Sequence, residues 1–179
     1  MTSWKSRVTV VRDDITDEDV DVIVNAANED LARGGGVCGA IHAAAGPGLE
    51  RECREIGYCP TGEAVATGAY ELRAKAVVHT VGPIWGGGAG DEEDELLASC
   101  YRECIALAAD LDYSTISFPS ISTGTYGFPV DRAAEVAVAA IREALEEYPD
   151  IREVRLVCFS AGDLAVYEAA LESAEEDDG

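Results

Sequence analysis

Short apolar runs rich in β-branched residues recur along the chain, at residues 8–11, 22–25, 64–67, 76–81, 115–119 and 154–159. Most are nearly continuous in hydrophobicity, as strands covered on both faces should be. Helical patterns separate them. Residues 36–45 follow a glycine run, and residues 163–174 close the chain. Residues 91–111 start with acids, which suit the positive end of a helix dipole, and then carry Leu97, Cys100, Tyr101, Cys104, Ala108 and Leu111 at helical spacing. Residues 130–148 repeat the pattern with Ala134, Val138, Ile141 and Leu145. Strands alternating with helices predict an α/β fold, a three-layer α/β/α sandwich around a central mixed β-sheet.

A length of 179 residues suits one domain, and the chain shows no repeat, linker or composition break. The expectation is a single domain over 1–179, with a short acidic tail from about residue 172. At 47% hydrophobic residues the chain has enough apolar surface to build a core. No apolar run reaches membrane-span length, and the start, Met1 to Lys5, has no signal-peptide shape. No membrane association and a cytoplasmic location are therefore expected. The six cysteines contain no CxxC pair and read as reduced thiols that fill the core. Cys100 and Cys104 share a helix face and read as packing.

Charge is the unusual quantity: 35 acidic residues stand against 13 basic ones, a net −22, with Lys5 and Lys75 as the two lysines. Such a surface repels nucleic acid, whose capture needs Lys and Arg on the phosphates, so no nucleic-acid binding is expected. Any anionic ligand must be gripped by local dipoles against an unfavourable field. The Lys-poor, acid-rich composition resembles proteins of salt-in halophiles; at molar salt the Debye length is about 3 Å and self-repulsion is screened. The alternative is an ordinary acidic domain whose tail, Glu175-Glu176-Asp177-Asp178, adds solvated charge.

In α/β folds ligands sit outside the carboxyl ends of strands, and the unusual sequences lie at those ends. Asn25-Ala26-Ala27-Asn28 follows one strand, Ser120-Ile121-Ser122-Thr123-Gly124-Thr125-Tyr126-Gly127 another, and Phe159-Ser160-Ala161-Gly162 the last. Gly34-Gly35-Gly36 opens a helix. Glycine lets backbone approach a ligand, and a helix start offers free N–H groups with partial positive charge, a phosphate site. The segment lacks both GK[ST] and G-x-G-x-x-G, which excludes a P-loop and a Rossmann fingerprint. The Ser122 to Gly127 loop offers a second set of N–H groups, and the two loops together could hold a diphosphate. His42 lies one helical turn after Cys38, but a Cys/His pair is too sparse for zinc; no metal and no cofactor are expected. His79, inside a strand pattern, reads as structural.

Asp13-Asp14-Ile15-Thr16, Val22-Ile23-Val24-Asn25-Ala26-Ala27-Asn28 and the reading GGGVCGAIHAAA from Gly34 resemble a macrodomain. Pro60-Thr61-Gly62-Glu63-Ala64, His79-Thr80-Val81-Gly82-Pro83 and Ile121-Ser122-Thr123-Gly124 match in the family's order. The similarity runs from about Val8 to Leu171 and is closest to the MacroD-type branch. The resemblance implies that Asp14 accepts from the adenine amino group, Ile15 meets the ring through its backbone, and Phe159 stacks on it. Gly35, Gly36 and Val37 would line one side of the diphosphate, and Ser122, Thr123, Gly124, Thr125 and Tyr126 the other. Asn28 would bind the distal ribose and Tyr126 would pack on it. Each has a plainer reading: Asp14 as a turn cap, Phe159 as core, Asn28 bonded to its own loop, Tyr126 as an exposed loop aromatic.

MacroD-type members hydrolyse the ester between ADP-ribose and an Asp or Glu side chain, and O-acetyl-ADP-ribose. Their glycine run has four residues followed by Val-Asp-Gly; here Arg33 replaces the first glycine and Cys38 the acid. Some viral macrodomains resemble this one in lacking the acid and are regarded as hydrolases. Asn28 and Cys38 are the candidate catalytic positions, Cys38 either as a nucleophile or as a small buried side chain beside a water oriented by the ligand's own phosphate. The expected partners are ADP-ribose, its derivatives and ADP-ribosylated proteins. A non-catalytic reader of the same ligands is the alternative function.

Overall fold

The computed structural model describes residues 3–86 and 91–174. Six strands form one sheet: β1 (Val8–Arg12), β2 (Val22–Ala26), β3 (Ala64–Gly68), β4 (Ala76–Thr80), β5 (Thr115–Phe118) and β6 (Glu153–Cys158), in the order β1-β6-β5-β2-β4-β3. β3 pairs antiparallel with β4 and every other pair is parallel, so the sheet is mixed as expected. Each strand lies within a residue or so of its predicted run.

The helices are α1 (Gly36–Ala45), α2 (Pro47–Ile56), α3 (Asp91–Asp110), α4 (Val130–Glu147) and α5 (Ala161–Ser173). The expected helices are present; α2 is an addition to them. Its signals are weak but readable: Pro47 in the first turn, Leu49 and Cys53 buried four residues apart, and Gly57 in the left-handed region after its end. The acids at 175–178 lie outside the described residues.

Alternation along the strands sorts the core into two halves. Val22, Val24, Val78, Ile116, Phe118 and Leu156 face α3, α4 and α5. Ile23, Val77 and Val157 face the other way, toward Ile41 of α1 and Leu49 and Cys53 of α2. The result is a three-layer sandwich. Asn25 and His79 follow Ile23 and Val77 by two residues, so these polar groups face the α1–α2 layer. All six cysteines are free and buried, and Cys100 and Cys104 pack inside the larger core.

Candidate functional site

The loop between β2 and α1 is closed by Asn28, whose Nδ2 donates to the Ala32 carbonyl at 2.9 Å while its Oδ1 accepts from the Ala32 N–H at 3.0 Å. Gly34, Gly35 and Gly36 then lie exposed. Gly36 takes φ +57°, a left-handed turn that favours glycine, and Gly35 caps α1 with no side-chain hydrogen bond. Among the described residues, the N–H groups of Gly35, Gly36 and Val37 find no protein acceptor. They are the orphan donors of a helix start, with the partial positive charge that draws anions.

The second loop follows β5, the strand beside β2. It is held at its ends: the Phe128 N–H donates to the Ser122 carbonyl at 3.0 Å, Gly127 to Gly124 at 3.0 Å, and Ser120 Oγ meets Thr123 Oγ1 at 2.6 Å and Tyr167 OH at 2.7 Å. Gly82 lies so close beneath it that an added Cβ would collide with Ser122 Oγ and Ile121. Ser122 adopts φ +67°, sparsely populated for a residue with a side chain, and its buried hydroxyl has no protein partner. The N–H groups of Thr123, Gly124, Thr125 and Tyr126 likewise have no acceptor among the described residues. Two sets of free donors therefore stand at the carboxyl ends of neighbouring parallel strands.

Beneath the first loop runs a buried polar chain. Asn25 Nδ2 donates to Cys38 Sγ at 3.6 Å and lies 3.0 Å from His79 Nδ1. His79 Nε2 lies 2.9 Å from Thr67 Oγ1, which itself donates to the Gly68 carbonyl at 3.0 Å. The hydroxyl's proton being used there, His79 carries its hydrogen on Nε2 and accepts from Asn25 at Nδ1. Burial pulls the His79 pKa down to about 3, with nearby His42 adding to the effect. Cys38 is buried, and its Sγ also points at the Ala32 carbonyl, 3.8 Å away. His42 is buried with no hydrogen bond at either ring nitrogen, and burial followed by Arg33 lowers its pKa.

The remaining expected residues gather at the same edge of the sheet. Asp14 follows β1 and caps a 3-10 turn, Oδ1 accepting from the Thr16 N–H at 2.9 Å and the Thr16 hydroxyl at 2.7 Å, so its plainer role is realised. Ile15 is buried in the smaller core. Phe159 is 86% exposed, which removes the core reading, and its carbonyl accepts from Arg12 Nε at 3.3 Å. Tyr126 is half-buried. Asn25, Ala32 and Gly82 did not stand out as site residues in the sequence, although an Asn and a His inside apolar strands are signals in hindsight.

The described residues contain no group of three or more His, Cys, Asp or Glu arranged to hold a metal, and no helix long and apolar enough to cross a membrane. A hollow of about 420 Å³ lies at the opposite end of the sheet, bordered by Asp110, Asp112, Glu147 and Asp150. Its carboxylates make it unsuited to an anion.

The Macro domain family profile matches residues 24–137. A Macro domain-containing protein of Chlorobaculum tepidum is 54% identical over 92% of this chain and 95% of its own. An O-acetyl-ADP-ribose deacetylase of Cronobacter sakazakii is 48% identical over 97% of this chain and 98% of its own. Among solved structures, a variant of the Oceanobacillus iheyensis macrodomain with ADPR superposes with a TM-score of 0.87 at 45% identity, covering 91% of this chain and 90% of that one. The Trypanosoma brucei macrodomain in complex with ADP-ribose gives 0.86 at 38% identity, over 92% and 69%.

Proposed function

The chain belongs to the Macro domain family, and we propose that it binds ADP-ribose and hydrolyses its esters in the manner of the MacroD-type branch. The observation that carries this reading is the pair of free N–H sets after β2 and β5. Neighbouring strands stand about 4.8 Å apart, so both sets can reach one diphosphate. On a surface of net charge −22, where acids outnumber basic side chains 35 to 13, this dipolar grip supplies the local attraction that the overall field does not.

The strand order supports a layout for the rest of the ligand. Asp14 and Phe159, after the adjacent strands β1 and β6, take adenine, Ile15 touching it through its backbone. A base stacked on Phe159 contributes about 1–3 kcal/mol. Gly35, Gly36 and Val37 face Ser122, Thr123, Gly124, Thr125 and Tyr126 across the diphosphate. Asn28 holds the distal ribose and Tyr126 packs on it. This layout uses no metal and no cofactor.

Hydrolysis adds water across the ester between the ribose and an Asp or Glu carboxyl, or an acetyl group, and releases ADP-ribose and the acid. Cys38 is no free acceptor for that water, because it lies under the loop between Asn25 and Ala32. The loops instead hold the ligand so that its own phosphate oxygens orient the water. Positioning is a large catalytic contribution, and a side-chain base adds only about 10²–10⁴-fold. The deacetylase named among the relatives supports the hydrolase over a reader.

A non-catalytic reader is favoured by one observation, the buried Cys38 in the place of an acid. Incubation with a Glu-linked mono-ADP-ribosylated substrate separates the two: an enzyme releases ADP-ribose in excess of its own concentration, and a reader only retains the substrate. ADP-ribosylated proteins in a salt-rich cytoplasm complete the proposal; nucleic acid and membranes do not enter it.

A further inference from the structure

The two most exposed large apolar side chains among the described residues are Phe159, at 86%, and Ile84, at 68%. Each follows the carboxyl end of a parallel strand, Phe159 directly after β6 and Ile84 a few residues after β4. In the sheet, β5 and β2 lie between those strands. Three inter-strand steps put the two ends about 14 Å apart, and the free N–H groups lie between them. The apolar groups thus bracket the diphosphate cradle from opposite sides.

The backbone on either side of Ile84 is anchored. Val81, Gly82 and Pro83 before it are buried. After it, the Trp85 N–H donates to the Tyr126 carbonyl at 2.9 Å, and the Trp85 ring packs on Phe128 with centroids 4.8 Å apart, under the Arg132 guanidinium at 5.2 Å. A lone exposed isoleucine is ordinary. One clamped on both sides and tied to the loop that faces the distal ribose is a preformed contact, with little conformational freedom left to lose on binding.

We propose that Ile84 is a specificity-determining residue that packs on the carbon chain esterified to the distal ribose, so that the cleft favours aliphatic acyl esters of ADP-ribose over ADP-ribose itself. The inference rests on the reading of the cleft as an ADP-ribose site. With the base at Phe159 and the ribose at Asn28, the next element along the sheet edge is the β4 end, and the ribose's substituent meets Ile84 there. The methylenes of that substituent are its apolar part, and each one buried strengthens binding about three- to fourfold. The same carbon chain occurs in free O-acyl-ADP-ribose and in a glutamate side chain of a modified protein.

The test is calorimetric and independent of turnover. Hydrolysis-resistant amide analogues carry acetyl, propionyl or butyryl groups on the distal ribose, and a second arm carries a glutamate-derived peptide. Wild type, Ile84→Ala and Ile84→Leu are compared by the ratio of each analogue's affinity to that of ADP-ribose. In wild type and Ile84→Leu the ratio should rise about three- to fourfold per methylene, and in Ile84→Ala it should stay flat. An Ile84-dependent gain in the acyl series assigns small-molecule esters, and a gain confined to the peptide arm assigns modified proteins. No Ile84-dependent gain in either arm, with ADP-ribose bound, overturns the role of Ile84. Wild type that fails to bind ADP-ribose overturns the reading of the cleft, and this inference with it.

Discussion

Asn28 and Ala32 are locked to each other by a reciprocal pair of hydrogen bonds, Nδ2 to the carbonyl at 2.9 Å and Oδ1 from the N–H at 3.0 Å. The side chain proposed to hold the ribose is therefore also the clasp of the loop that carries the glycines. Asn28→Ala should lose both functions. At about 1 kcal/mol for each bond lost, the two clasp bonds should cost about 2 kcal/mol of stability and the ribose bond about fivefold in ADP-ribose affinity, with turnover falling too. Titration calorimetry with a matched melting curve checks this; unchanged affinity in a folded variant would remove Asn28 from the site.

Gly35→Glu should abolish ADP-ribose binding while leaving the fold intact. An added Cβ at Gly35 meets nothing within 4 Å, and the residue caps α1 in extended backbone, so no strain arises. The carboxylate then occupies the cradle and repels the diphosphate. Equal affinity in the variant would show that the anion binds elsewhere.

Cys38→Ala should retain most of the hydrolysis rate, because the thiol is buried between the Asn25 amide and the Ala32 carbonyl. Cys38→Asp should raise the rate, because a carboxylate cannot donate to the Ala32 carbonyl as the thiol does; one oxygen keeps the Asn25 Nδ2 bond and the other turns toward the cradle as an acceptor for the water. Single-turnover rates on a Glu-linked substrate, with ADP-ribose affinities in parallel, decide the matter. An inactive Cys38→Ala that binds normally, with an ADP-ribosyl-thiol adduct in wild type by mass spectrometry, would make Cys38 the nucleophile. Absence of turnover in wild type and Cys38→Asp would move the protein to the readers.

Stability should decline as pH falls below about 6.5. His79 is buried neutral with its pKa drawn down to about 3, whereas an unfolded histidine titrates near 6.5. Between those values the unfolded chain binds a proton that the folded chain refuses. Stability is therefore full above pH 6.5 and is lost toward pH 3, with a slope of at most about 1.4 kcal/mol per pH unit from this group. Burial lowers His42 too, which acts in the same direction. Denaturant unfolding at a series of pH values should give a shallower slope for His79→Gln; an identical slope would mean that His79 titrates alike in both states.

The melting temperature should rise from low to molar potassium chloride, as screening relieves repulsion among 35 acidic side chains against 13 basic ones. A flat or falling melting temperature across that range would remove the halophile reading and leave the fold as it is.

Much of the architecture was legible because its signals are local. Apolar runs mark strands, helical spacing marks α3 and α4, and Gly34 to Gly36 marks a helix start with open donors. α2 escaped because its apolar stripe is little more than Leu49 and Cys53 in a charged segment. Phe159 illustrates the opposite limit: an aromatic at a strand end reads equally as core or as a stacking platform, and only its 86% exposure separates them.

Amino-acid order and composition were enough to set the strand and helix segments, the two small-residue loops and an acidic balance that leaves backbone dipoles as the natural grip on an anion. Those are properties of neighbouring residues and of composition. Only contacts made in the folded chain set β2 beside β5, which brings the two sets of free N–H groups side by side. They also decided that Asn25, His79, Thr67 and Cys38 join beneath them, and that Phe159 and Ile84 stand at opposite ends of one edge. Strand order and side-chain partnership arise from contacts between residues far apart in the chain, which local periodicity does not encode.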